Sequence, residues 1–171
     1  NMLWQNDGVS ICPYISNRYG PTIAEDGSSG AIVIWQDDRD GNYPTYAQRI
    51  DTDGNLVWSP NGVLVFSMYG INFATIMADG SGGAYVALDV IWDNAQPSDI
   101  YVQKLDADGN LLFGPKGSAI CLAANSQYRP VLAPDERGGA IVAWNDYRNE
   151  DGYSYLYSQR VDVSGLWGNP A

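Results

Sequence analysis

Two pentads in this sequence share a spacing that could do chemistry: Trp35-Gln36-Asp37-Asp38-Arg39 and Trp144-Asn145-Asp146-Tyr147-Arg148. An indole beside a carboxylate and a guanidinium is the equipment of a sugar-binding pocket. The ring stacks on a C–H face and the charged groups hydrogen-bond the hydroxyls. The same trio, Trp35, Asp37 and Arg39 or Trp144, Asp146 and Arg148, also reads as an Asp–Arg pair tying one unit to its neighbour over a packed Trp. A second set is aromatic and does not recur. Tyr43, Trp92, Tyr147, Tyr153 and Tyr155 fall in connections of unequal length, where loops on a rigid scaffold carry binding hot spots. They read equally well as caps over a sheet edge. Closely spaced oxygens in Asp37-Asp38-Arg39-Asp40-Gly41-Asn42 make Asp38 and Asp40 weak candidates for a calcium ion; no other cofactor is indicated.

Catalytic chemistry is thinly supplied. The chain has no histidine, so neither a Ser-His-Asp nor a Cys-His centre can be assembled within it. A paired-carboxylate glycoside hydrolase is the enzymatic alternative, and the glutamates count against it, since Glu25, Glu136 and Glu150 each fall in or beside a turn. Nine basic residues against twenty acidic ones give a net charge of −11, a field that repels phosphate backbones and anionic membranes. That argues against a nucleic-acid partner, and no apolar run reaches the roughly 18 residues that a membrane span needs. Cys12 and Cys121 occupy equivalent positions where another copy has Phe66, which reads as a buried packing site holding two free thiols. A start at Asn1 without a leader reads as that of a mature or partial chain.

The elements that must position these residues are legible because they occur three times. Asp26-Gly27-Ser28-Ser29-Gly30-Ala31-Ile32-Val33-Ile34-Trp35 returns as Asp79 to Leu88 and as Asp135 to Trp144, a period of about 55 residues of strand-like sequence. The repeats run over about residues 4–57, 58–112 and 113–166, within one repeat domain spanning 1–171. Each carries four strand signals. The first lies at Gly8 to Cys12, Gly62 to Phe66 and Gly117 to Cys121. A short second lies at Thr22 to Glu25, Thr75 to Ala78 and Val131 to Ala133. A β-rich third spans Ala31 to Trp35 and its equivalents, and a fourth spans Tyr46 to Asp51 and its equivalents. Asp-Gly pairs between the second and third signals predict tight hairpins. No segment holds a 3.6-residue apolar period, so almost no helix is expected.

This spacing predicts an all-β chain of three tandem four-stranded β-propeller-like blades. Known propellers close with more blades than three, so the chain reads as half of a six-bladed ring formed by a homodimer, or as part of a longer repeat array. The run Asp-x-x-Gly-Gly-Ala-Ile-Val-x-Trp-x-Asp-x-Arg with Tyr-x-Gln-Arg-x-Asp-x-x-Gly-x-x-x-Trp, carried by Asp135 to Arg148 and Tyr46 to Trp58, resembles a repeat of large exported bacterial proteins. The resemblance covers the whole chain. It implies β-propeller-type blades, a secreted or cell-surface location and a binding or assembly role toward a glycan or a protein, with structural spacer repeats as the alternative. Repeat two departs from the pattern, with Leu88-Asp89-Val90-Ile91-Trp92 in place of Trp-x-Asp-x-Arg.

Overall fold

A computed structural model describes residues 4–68, 70–91 and 97–166 of the chain. Among them there is no helix, and the strands form three antiparallel sheets. The first holds β1 (Arg18–Glu25), β2 (Ala31–Asp37), β3 (Thr45–Ile50) and β4 (Val63–Phe66) in sequence order. The second holds β5 (Ile71–Ala78), β6 (Ala84–Val90), β7 (Asp99–Leu105) and β8 (Ser118–Cys121). The third holds β9 (Gln127–Pro134), β10 (Ala140–Asp146) and β11 (Tyr155–Asp162), with the two-residue β12 (Gly165–Leu166) at its edge. The first and second sheets therefore each take three strands from one copy and their fourth, outer strand from the start of the next.

Burial along the second strand of each sheet reports how the sheets stack. Every residue of β6 is buried, which requires cover on both faces, so the second sheet is the middle layer. β10 alternates between buried and open positions, as a strand with one free face must. Ile32 and Ile34 of the first sheet pack with Val86 and Leu88 of the second. Tyr85 and Ala87, on the opposite face of β6, pack with Val142 and Trp144 of the third. The other face of the first sheet is covered by Ile11 and Cys12, which pack on Val33, Trp35 and Tyr46. β5 lies between β1 and β9, so the sheets stand in an open row.

Three sequence expectations are corrected. Gly8 to Cys12 is not a strand, although its equivalents are β4 and β8. The reason is pairing: β4 lies along β3 and β8 along β7, and residues 8–12 have no such strand beside them among the described residues. The second strand signals are not short, since β1, β5 and β9 each run eight residues. Nor are the hairpins two-residue turns. Each is a five-residue loop closed by the Asp26, Asp79 or Asp135 amide donating to the carbonyl of Gly30, Gly83 or Gly139. The Asp carboxylate builds that loop: Oδ1 of Asp26 accepts from the Ser28 and Gly30 amides at 2.7 and 2.8 Å, and the other copies repeat this. Its Oδ2 pairs with Arg49, Lys104 or Arg160 of the third strand.

Ties between sheets are equally local. Trp58 Nε1 and Arg49 Nη1 both donate to the Ala107 carbonyl, and the Gly82 amide donates to the Asp26 carbonyl. Tyr85 donates its hydroxyl to Gly138 across the second junction. Buried Gln48 and Gln103 bracket the crossing chain from both sides. Their amides donate to Ser59 and Gly114, and their Oε1 atoms accept from Trp58 and Phe113.

Candidate functional site

The Trp-x-Asp-x-Arg trios are turned inward. Trp35 and Trp144 are 2% and 4% exposed, and Asp37 and Asp146 are both 0% exposed. Asp37 sits at the end of β2, where alternation aims its carboxylate back under the indole of Trp35. There its Oδ2 accepts from Trp35 Nε1 at 3.1 Å and Arg39 Nη2 at 2.5 Å, while Oδ1 accepts the Arg39 amide at 3.0 Å. Asp146 repeats the set with Trp144 and Arg148. Burial alone would push these carboxyls up; the guanidinium, indole and amide donors outweigh it and hold both below the usual carboxylate range. The guanidinium of Arg39 lies 3.8 Å over the Tyr46 ring, and that of Arg148 lies 3.9 Å over Tyr157.

Two members of this unit escaped the sequence reading. Tyr46 and Tyr157 form the floor, stacked on Trp35 and Trp144. Cys12 and Cys121 form the wall, each thiol receiving an arginine Nη2, at 3.4 Å from Arg39 and 3.2 Å from Arg148. Both cysteines are free and buried. The signal lay in the repeats: the copy whose strand lacks Trp-x-Asp-x-Arg is faced by Phe66 in place of cysteine, and Phe66 packs with Leu88 and Val90. Cysteine and trio are present or missing together.

Other candidates are distributed differently. Asp38 accepts from the amide and side chain of Asn17, at 2.8 and 2.7 Å, and Asp40 accepts from the Tyr46 hydroxyl at 3.2 Å. No group of three or more His, Cys, Asp or Glu suited to a metal ion occurs among the described residues. Tyr43, Tyr147, Tyr153 and Tyr155 are all exposed, at the loop end of the molecule. Tyr43 stands edge-on to Tyr19, Tyr147 edge-on to Tyr128, and Tyr155 donates to Asp151. Trp92 lies outside the described residues.

One cleft gathers several of these features. At the loop end, between the second and third sheets, a cavity of about 510 Å³ is lined by Asn72, Phe73, Asp89, Tyr128, Arg129, Asn145, Tyr147 and Ser154. Asp89, in the repeat that departs from the pattern, aligns with Gln36 and Asn145, one step before the motif aspartate. It is 1% exposed, yet its Oδ1 has no hydrogen-bond partner among the described residues. Burial pushes its carboxyl up to about 6, against the pull of its own amide, the Phe73 and Arg129 amides and the Asn72 side chain. Arg129 holds the left-handed backbone (φ 52°) at the β9 bulge where the first repeat has Gly20.

No family model and no curated protein matches the chain.

Proposed function

We propose that this chain is a non-catalytic binding and assembly module, secreted or displayed on a bacterial surface, whose sheets are blades of a propeller-type array. The observation that carries it is the division of polar and aromatic groups between two settings. The Trp-x-Asp-x-Arg units turn their indole and carboxylate inward and pair the carboxylate with the arginine, whereas Tyr43, Tyr147, Tyr153 and Tyr155 are presented at one end of a rigid stack. The ligand is a glycan or a protein taken up at that end. The cleft there carries one lining carboxylate, while glycoside hydrolysis works through a pair. The reading needs no cofactor; Asp38 and Asp40 serve in it as turn acceptors.

The test is binding to a glycan array and to a panel of purified matrix proteins, by wild type and a Tyr147→Ala/Tyr153→Ala variant. A ligand retained by wild type and weakened at least about tenfold in the variant supports the module. Silence in both arms, or turnover of an aryl glycoside, overturns it.

An assembly role is favoured by the outer face of the third sheet. Val131, Ile141 and Leu156 share that face through the β9–β10–β11 ladders and are 56%, 41% and 82% exposed. Beside them, β11 from Tyr155 to Arg160 has no strand on its outer edge among the described residues. A second copy covers this surface, its residues 8–12 lying along β11 as β8 lies along β7. In that register Cys12 meets Leu156, as Cys121 meets Ile100. Light scattering then gives twice the 18.6 kDa chain mass, falling to the monomer for Leu156→Lys. A wild-type monomer at high concentration rules out the homodimer.

A further inference from the structure

We infer that the cleft between the second and third sheets is a site for a neutral, polyhydroxylated ligand, with the Asp89 carboxylate at its floor accepting a ligand hydroxyl; this rests on the binding-module reading above. A buried carboxylate oxygen is almost always satisfied, and an orphan one at the base of an open cleft marks a place where a donor belongs. Asp89 is that orphan, fixed on a fully buried strand whose position is not adjustable.

The lining selects among donors. Arg129 at the rim disfavours a cation, and the Asp89 charge disfavours an anion. One carboxylate beside two amides is a poor oxygen set for calcium or magnesium, which take six or so ligands with several charges. A hydroxyl both donates and accepts, so one ligand class can give a proton to Asp89 while taking hydrogen bonds from the Asn72 amide and Arg129. Tyr128 and Tyr147, edge to face at 6.1 Å, add apolar ring surface for C–H groups. The volume of about 510 Å³ suits a mono- or disaccharide-sized ligand. Oδ1 has almost no surface of its own, so binding includes a shift of the exposed lining side chains Phe73 and Arg129 that opens it to the hydroxyl.

The experiment uses the whole chain on an array of neutral, sialylated or sulfated, and amino-sugar glycans, with wild type, Asp89→Asn, Asn72→Ala and Tyr147→Ala. At pH 7.5 wild type retains neutral glycans above both charged classes, and Asp89→Asn weakens them at least about tenfold. Asn72→Ala, at an exposed position that leaves folding intact, weakens them severalfold. Moving wild type to pH 5 protonates Asp89 and lowers binding toward the Asp89→Asn level, while Asp89→Asn itself shows no such change. The titratable or charged groups nearest Asp89 are Arg129 and Tyr128 on β9, Tyr147 in the β10–β11 loop, and Asp99 on β7 beside Asp89's ladder partner Ile100. Among them, Asp99 is also pushed upward by burial, so the flat profile of Asp89→Asn is what assigns the change. Neutral-glycan binding that survives Asp89→Asn but not Tyr147→Ala overturns the inference and leaves the module standing. Preference for a charged class, or silence on the whole array, overturns the ligand class; silence toward proteins as well removes the module.

Discussion

The two junctions between sheets are built from equivalent residues and end differently. At the first, Gln36 spans the gap and donates its amide to the Ile71 carbonyl at 2.8 Å, leaving a cleft of about 170 Å³. At the second, the equivalent residue is Asp89, one methylene shorter and unable to donate when ionised, and the cleft holds about 510 Å³. Backbone and stacking are shared; the side chain decides whether the junction is a joint or a pocket. The same contrast separates the buried carboxylates. Asp37 and Asp146 are surrounded by donors and act as cement, whereas Asp89 is buried one step earlier with an oxygen unsatisfied.

The sharpest way to break that comparison is to remove one carboxylate of each kind. Asp37→Ala leaves the Arg39 guanidinium, whose side chain is 8% exposed, and the Trp35 indole without their acceptor. Breaking one partner of a buried pair costs about 3–5 kcal/mol, so urea unfolding finds a destabilisation of that order. Asp89→Asn moves the other way at pH 7.5. Equal losses at the two positions would erase the distinction between cement and pocket.

The pH dependence of stability sharpens the comparison further, because the two kinds of carboxylate have opposite signs. Asp37 and Asp146 are held below their unfolded value of 3.8, so they contribute stability above pH 4 and lose it as pH falls further. Asp89 is raised to about 6, so the folded state keeps its proton between pH 4 and 6 while the unfolded chain releases it. Its contribution therefore declines as pH rises through that window and is gone above it. On the order of 2 kcal/mol separates wild type from Asp89→Asn at pH 7.5, with the variant more stable and the difference vanishing below pH 4. Denaturant midpoints across pH 3–8 check this; a wild-type curve that does not decline between pH 4 and 6 removes the raised carboxyl.

The sheets are legible in the sequence because a threefold repeat averages out the noise of single strands. Val33, Val86 and Val142 occupy repeat-equivalent buried positions, as do Trp35, Leu88 and Trp144, and such registers show through in composition. The outer strand was legible as sequence but not as structure in its first copy, since Gly8 to Cys12 needs a neighbouring strand that residues 4–7 do not supply. The trio was legible as a constellation, yet burial decides its use, and burial comes from the sheet stacked against it. Asp89 was the least legible. Nothing in Leu88-Asp89-Val90 marks an unsatisfied oxygen; its burial depends on β6 packing against β9 of the next repeat.

The smallest expected effect tests the repeats against each other at their hairpins. Gly27 and Gly80 adopt left-handed φ values of 77° and 76°, and the third copy places Glu136 there at φ 60°. A side chain in this region costs roughly 1–2 kcal/mol locally, partly offset because glycine makes the unfolded chain more flexible by about 0.4–1 kcal/mol. Glu136→Gly should thus stabilise the chain by about 0.5 kcal/mol, read as a rise in denaturant midpoint with unchanged slope. The reciprocal change, Gly27→Ala, is harsher than backbone preference alone allows. Its Cβ would stand 2.5 Å from the Gly80 carbonyl oxygen, where the first and second hairpins touch. Gly80 has no such neighbour within 4 Å, so Gly80→Ala bears the backbone cost alone. If Gly27→Ala and Gly80→Ala cost the same, the hairpins do not meet, and the packing of the first sheet on the second is not as described.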